Sequence, residues 1–318
     1  MDPSFHEART RFSNPKAPES PTQQKTKFQR KLERNPYAQA LASPIRHCSV
    51  TGVVLPRYFL QDFNLVTHPE TGQPWWISPS LTSDEKPRTP AEQTSELRED
   101  SPVRPQESET GTQAPKGKKP AGPTGYVLSR QQLLKEFQEG SRFLYSKAHQ
   151  KRLLRQNNPH RVGSVLKRAV WREDMDSFLL ELMRRRIVEG LLYFSELCER
   201  EDRKYLIRCG SWEEIKSHDH RGCVLWLGQD TSAPQVDRSD QQAQTGPGQL
   251  ATLDIEGGRF GGKLAVHNLR NLLGEDHLAR LKESSNVLRE GNLFLLGRRR
   301  TVELQLKLWK LEGYVARF

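Results

Sequence analysis

The sequence predicts an α+β protein: a C-terminal domain of two long helices followed by short strands and helices, with a loop-rich aromatic N-terminal module and a disordered arm and linker. Three observations predict it. Residues 173–200 place large apolar side chains at helical spacing. Short apolar runs bounded by glycine or polar turns follow them. Stretches almost devoid of aromatic and branched residues separate the ordered segments. A chain of 318 residues suggests roughly two domains, yet 34% hydrophobic residues and a mean hydropathy of −0.78 are low for that much packed core.

Residues 1–34 are rich in Pro, Ser, Gln, Lys and Arg and cannot bury enough apolar surface to offset the entropy of ordering, which predicts a disordered basic arm. Its Arg and Ser content is similar to an organelle-targeting arm, although Asp2, Glu7, Glu19 and Glu33 interrupt the acid-poor pattern of such arms. From 35 to 79, aromatic and apolar residues alternate with turn formers such as Asn35-Pro36, Ser43-Pro44, Thr51-Gly52 and Thr71-Gly72. This module is too interrupted for a core of its own. Its Tyr37, Leu55, Tyr58, Phe59, Phe63, Trp75 and Trp76 are therefore expected to pack on the rest of the chain or on a neighbour, and we take Tyr37, Tyr58, Phe59, Phe63, Trp75 and Trp76 as candidate partner-docking residues. Residues 80–125 lack aromatics until the ordered chain resumes, the signature of a disordered linker.

The α+β domain spans 126–318. Ser129 is a plausible N-cap of a helix running to about Arg155, where Asn157-Asn158-Pro159 ends it. A second helix covers Glu173 to Arg200. Strands are expected at Tyr205 to Ile207, Val224 to Leu227, Leu250 to Ile255, Leu264 to Val266 and Leu293 to Leu296, with a polar insertion from Gln229 to Gln249 and a helix near Leu269 to Glu283. The type of the ending, Thr301 to Tyr314, does not follow from its pattern.

Charge is segregated along the chain. The net charge is +11 with a pI near 9.6, and residues 126–172 hold 11 Lys and Arg against 2 Asp and Glu, whereas 173–318 hold 22 against 23. On a helical wheel, the stripe through Leu133, Phe137 and Leu144 continues into Lys147, Lys151 and Arg155, turning from apolar to basic. Arg142, Lys147, Lys151, Arg152, Arg155, Arg161, Lys167 and Arg168 are thus candidate contacts for RNA phosphates, with a solvated helix face as the alternative. Tyr145, His149, His160 and Trp171 lie among these cations, either to stack on unpaired bases or to anchor a core.

No catalytic constellation is apparent. Gly257-Gly258-Arg259-Phe260-Gly261-Gly262-Lys263 has the spacing of a phosphate-cradling loop, but Leu264 stands where a hydroxyl on Mg²⁺ is required and the following residues look like a strand. Cys209, His218, His220 and Cys223 gather within fifteen residues without the short knuckle spacing of structural zinc, which favours small buried cysteines flanking a loop. Asp254 with Glu256, Asp62 with His68, and the mid-helix Ser195 nominate no acid, base or nucleophile. We therefore expect a non-enzymatic protein with no metal and no cofactor. Four irregularly spaced cysteines indicate thiols in a reducing compartment, and no apolar run reaches the ~18 residues of a membrane span.

The segments Asn35-Pro36-Tyr37-Ala38 to Ser43-Pro44, Leu55-Pro56-Arg57, His68-Pro69-Glu70-Thr71-Gly72 to Trp75-Trp76, Val266-His267-Asn268-Leu269 and Leu308-Trp309-Lys310-Leu311 resemble fungal mitochondrial proteins of the gene-expression class. Small-subunit mitochondrial ribosomal proteins and respiratory-growth factors are the nearest groups. The resemblance implies residence in the mitochondrial matrix, rRNA or other structured RNA as a partner, and small folded parts docking on ribosomal proteins or assembly factors. The leading expectation is a structural or assembly component of the mitochondrial small subunit. The alternative is an assembly, translation or respiratory-maintenance factor that works through protein contacts.

Overall fold

The apolar runs of the C-terminal half come together in one mixed sheet. The computed structural model describes residues 26–82, 124–139, 168–201, 204–218, 221–228, 251–255, 262–297 and 300–317. Strands β6 (Leu206–Arg208), β7 (Arg221–Trp226), β8 (Thr252–Asp254), β9 (Lys263–Asn268) and β10 (Leu293–Gly297) form it in the order β6-β10-β7-β9-β8. β10 is antiparallel to β6 and β7, while β7 and β9 run parallel. The continuous apolar runs of β7 and β10 have a direct cause: both faces of the sheet are covered. Cys223, Leu225, Phe294 and Leu296 point into one core layer, and Val224, Trp226, Leu293 and Leu295 into another.

The larger layer is closed by helices. In α5 (Met175–Glu201), Met175, Leu179, Met183, Ile187 and Leu191 recur every fourth residue and are all buried. Against it packs α10 (Val302–Val315) through Leu304, Leu308, Leu311 and Tyr314. The Tyr314 hydroxyl donates to the Asp176 carbonyl at 2.8 Å. The expected helix near 269–283 is divided into α7 (Leu269–Leu273) and α8 (Glu275–Ser284), because Gly274 between them takes a φ of +79° that favours glycine. A short α9 (Asn286–Arg289) leads into β10. The smaller layer is covered by α6 (Trp212–Ser217) through Ile215 and Trp212.

The aromatic module is more regular than its turns suggested. It contains α2 (Pro36–Ala42), strands β1 (Ile45–His47) and β2 (Val54–Pro56), a 3-10 turn at Arg57–Phe59, β3 (Leu60–Thr67), β4 (Pro74–Ile77) and α3 (Pro79–Thr82). β3 is central in an antiparallel sheet between β4 and β5 (Gly125–Leu128), so the chain on the far side of residues 83–123 returns to complete it. Phe63 and Trp76 are buried beside Trp171, with Phe63 and Trp171 ring centroids 5.0 Å apart, and all three belong to the same apolar layer as α5 and α10.

The arm read over residues 1–34 ends in helix α1 (Lys27–Glu33). A reciprocal capping box explains it: Thr26 Oγ1 accepts from the Gln29 amide at 3.2 Å, and the Thr26 amide donates to Gln29 Oε1 at 2.8 Å. The expected first basic helix is described only as α4 (Gln131–Glu139). The remainder of the arm, the linker over 83–123, the basic segment 140–167, the insertion from Gln229 to Gln249 and Gly257 to Gly261 lie outside the described residues.

Candidate docking surface

Trp309 of α10 organises the N-terminal surface. Its ring meets Tyr37 edge-on at 4.8 Å, Tyr58 at 5.2 Å and Phe59 at 5.6 Å. Aromatic pairs at such separations contribute about 0.5–1.5 kcal/mol beyond their area burial. The Tyr58 hydroxyl donates to the Leu306 carbonyl at 2.7 Å and the Tyr58 amide to Ser43 Oγ at 3.1 Å, which fixes α2 and the β1-β2 hairpin on α10. Burial raises the Tyr37 phenol and pushes the Tyr58 phenol well above its ordinary range, so the Tyr58 hydroxyl stays a protonated donor. Trp75 stacks on His68 at 5.1 Å, and β4 is pinned from beyond the basic segment by Val170, whose amide donates to the Pro74 carbonyl at 2.8 Å.

The surface outside this anchor is apolar and basic. Among the described residues, the exposed large hydrophobic side chains are Phe28, Leu32, Tyr37, Leu41, Ile45, Val53, Val54 and Tyr193, and seven of these eight lie between 28 and 54. Their grouping follows from local geometry. Phe28 and Leu32 are one turn apart on α1, as are Tyr37 and Leu41 on α2. In the hairpin His47 pairs with Val54, so Ile45, His47 and Val54 share one strand face while Leu55 takes the other and packs on the core. Phe28, Leu41 and Ile45 are 68%, 63% and 66% exposed, values that leave about two thirds of each residue in water. Residues 26–54 carry Lys27, Arg30, Lys31, Arg34 and Arg46 against Glu33 alone.

Of the residues nominated from sequence, Tyr37, Tyr58 and Phe59 meet at Trp309, whereas Phe63 and Trp76 are enclosed within the chain's own core. Arg168 is exposed at the point where the described chain resumes; Arg142, Lys147, Lys151, Arg152, Arg155, Arg161 and Lys167 lie outside the described residues. Phe28, Leu32, Leu41, Ile45, Val53 and Val54 were not nominated, although the Thr26 to Gln29 capping signature and the 28/32 and 37/41 spacings were there to be read.

The candidate chemical pairs are placed as follows. Asp62 is enclosed at β3, its Oδ1 accepting from Gln61 Nε2 at 2.9 Å and Ser78 Oγ at 3.2 Å, and its Oδ2 from the Ser80 amide at 3.1 Å, with the Ser80 hydroxyl as a further donor. His68 lies beyond the far end of that strand in a turn. Ser195 Oγ lies 2.7 Å from Ser285 Oγ in a buried pair. Asp254 is opposite Lys263 across β8 and β9, and Lys263 opens a strand, where a phosphate loop needs a helix. His267 and Glu312 are both buried, with Nδ1 and Oε2 3.1 Å apart. Cys223 and Cys209 fall in different apolar layers, and Cys209 instead meets Glu214 and His218. Among the described residues no helix is long and apolar enough to cross a membrane.

Fold and surface define a mixed helix and strand protein that exposes an apolar, basic face beside an aromatic anchor. The family described as "Required for respiratory growth protein 8 mitochondrial" matches residues 7–224, more than two thirds of the chain, and the chain belongs to it. It is thus a mitochondrial respiratory-growth protein. The match ends inside β7, while the sheet that contains β7 continues through β9 and β10. No curated protein and no solved structure matches the chain.

Proposed function

We propose that the chain is a non-enzymatic assembly, translation or respiratory-maintenance factor that acts by protein contact through the face formed by α1, α2 and the β1-β2 hairpin. The observation that carries this reading is the concentration of exposed large hydrophobic residues between 28 and 54. Exposed large apolar side chains gathered on neighbouring elements, as on these, mark interaction sites in otherwise well-packed proteins. The five cations among these residues specify the complement: a partner surface with an apolar centre and a carboxylate-rich rim. Tyr37 joins this face to Trp309, giving the contact a rigid aromatic support.

The test is a triple substitution, Leu41→Asp, Ile45→Asp and Val54→Asp, in cells whose only copy of the protein carries it. All three side chains are exposed, so the thermal midpoint should be kept while growth on a respiratory carbon source is lost. Full respiratory growth of a folded triple variant would reject the face as the working surface.

The second reading, residence in the mitochondrial ribosome with Arg142, Lys147, Lys151, Arg152, Arg155, Arg161, Lys167 and Arg168 on rRNA phosphates, is favoured by the excess of 11 cations over 2 carboxylates in residues 126–172.

A further inference from the structure

The smaller apolar layer holds a group of donor atoms that protein docking does not use. Cys209 follows β6, and its amide donates to the Leu293 carbonyl at 3.0 Å, which fixes the thiol at the end of the sheet. Two residues later Ser211 caps α6, its Oγ accepting from the Glu214 amide at 3.3 Å. Glu214 and His218 are four residues apart, one helical turn, and so fall on one side of α6 and its C-cap. Buried Ile215 presses that short helix onto the sheet beside Cys209. As a result the Cys209 sulfur, a Glu214 carboxylate oxygen and a His218 ring nitrogen all lie within 4.8 Å of one another.

Three further features point to a ligand there. His218 Nε2 is buried with no hydrogen-bond partner among the described residues, a state that is unfavourable unless something fills it. The Gly210 amide donates to Glu214 Oε2 at 2.7 Å, orienting the carboxylate as an outer-shell donor orients a metal ligand. Cys209 and Glu214 also line an open cavity of 880 Å³ with Trp212, Trp226 and Asn292, which supplies an entry path.

We propose that Cys209, Glu214 and His218 bind a divalent transition-metal cation of the zinc class, with its fourth coordination position open to this cavity. A mixed sulfur, nitrogen and oxygen set suits Zn²⁺ and disfavours Mg²⁺ and Ca²⁺, which take oxygen. A tetrahedral shell with bonds of about 2.0–2.3 Å sets donors roughly 3.3–3.7 Å apart, so closure needs a contraction of about 1 Å. Rotation of the exposed Glu214 and the half-buried His218 supplies it. Burial, reinforced by the Glu214 carboxylate, holds the Cys209 thiol protonated, with its pKa pushed up to about 11. On binding, the cation replaces that proton, which passes to solvent, and leaves a thiolate on the metal. Sequence spacing pointed away from this group because the third ligand is a carboxylate, and a search of cysteines and histidines alone omits it.

The purified full chain, stripped with a chelator and titrated with Co²⁺, tests the site. A single Co²⁺ should bind with a thiolate-to-cobalt charge-transfer band and tetrahedral d–d bands, and Zn²⁺ should displace it. Cys209→Ser should abolish the charge-transfer band, and Cys198→Ser should keep it. Glu214→Gln, at an exposed position where folding is not at stake, should weaken Co²⁺ binding by about tenfold or more. Absence of the band in the unsubstituted chain, a band that survives Cys209→Ser, or an affinity unchanged by Glu214→Gln would each overturn the proposal.

Discussion

Lys310 shows how single residues hold the aromatic module to the body. Its Nζ donates to the Leu60 carbonyl at 3.1 Å, where β3 begins. Burial lowers its pKa from 10.5 to about 8, with Asp62 opposing the shift and Arg57 adding to it. A lysine with a depressed folded pKa destabilises the fold while charged. Between pH 8 and 10.5 the unfolded chain holds the extra proton, so stability from this residue rises as pH climbs through that window. Cys209, pushed up to about 11, and the raised Cys223 act in the opposite sense above pH 9, because their folded states keep protons that the unfolded chain loses. A comparison of the natural chain with Lys310→Met cancels those thiols. Urea midpoints should move in favour of the natural chain by up to about 3 kcal/mol between pH 8 and 10.5. Parallel pH profiles for the two proteins would show that Lys310 is not titrating in the fold.

Elements differ in how far they could be read from sequence, and the reason is where their apolar neighbours come from. α5 was legible because its buried residues recur every four positions along one stripe. β7 and β10 were legible because burial on both faces leaves unbroken apolar runs. α10 was not: its buried side includes Gln305 and Glu312 beside Leu304, Leu308, Leu311 and Tyr314, and its other side is only partly exposed, so polar and apolar residues do not sort onto separate faces. The sheet of β4, β3 and β5 escaped for a different reason, since β5 is contributed from across some forty intervening residues of polar chain. The meeting of β7 with α10 gives a prediction at this scale. Cys223 pairs with Leu296 and Arg221 with Gly297, which makes Gly222 the extra residue of a bulge. A Cβ there would lie 2.7 Å from the Leu296 carbonyl oxygen and 2.6 Å from Gln305 Nε2. Gly222→Ala should therefore destabilise by about 1–3 kcal/mol. At Gly313 in α10 nothing stands within 4 Å of an added Cβ, and Gly313→Ala should be neutral or stabilising by up to about 1 kcal/mol. Equal midpoints for the two variants in denaturant would mean that the bulge relaxes freely.

Across the whole molecule, the exposed apolar residues and the strongest excess of cations occupy different stretches. Exposed large hydrophobics gather between 28 and 54, while the strongest excess of cations runs from 126 to 172 and meets the described body at α4 and again at Arg168. The two surfaces respond differently to salt, so salt separates the readings of function. Phosphate contact releases condensed counterions, and 6–10 such contacts lose about 10³–10⁵ in affinity between roughly 50 and 200 mM salt. Apolar docking has no such dependence, and rim charges such as Lys27 and Arg46 act mainly on the rate of encounter. Sedimentation of the tagged chain from mitochondrial extracts should therefore show its complex persisting across that salt range. Substitution of Lys147, Lys151, Arg152 and Arg155 by Gln should leave the complex in place, whereas the Leu41, Ile45 and Val54 aspartates should release the chain to the top of the gradient. A complex that dissolves with salt, comigrates with a ribosomal subunit at low salt and is lost with the four Gln substitutions would move the working surface to the basic segment, because only contacts made through counterion release weaken so steeply.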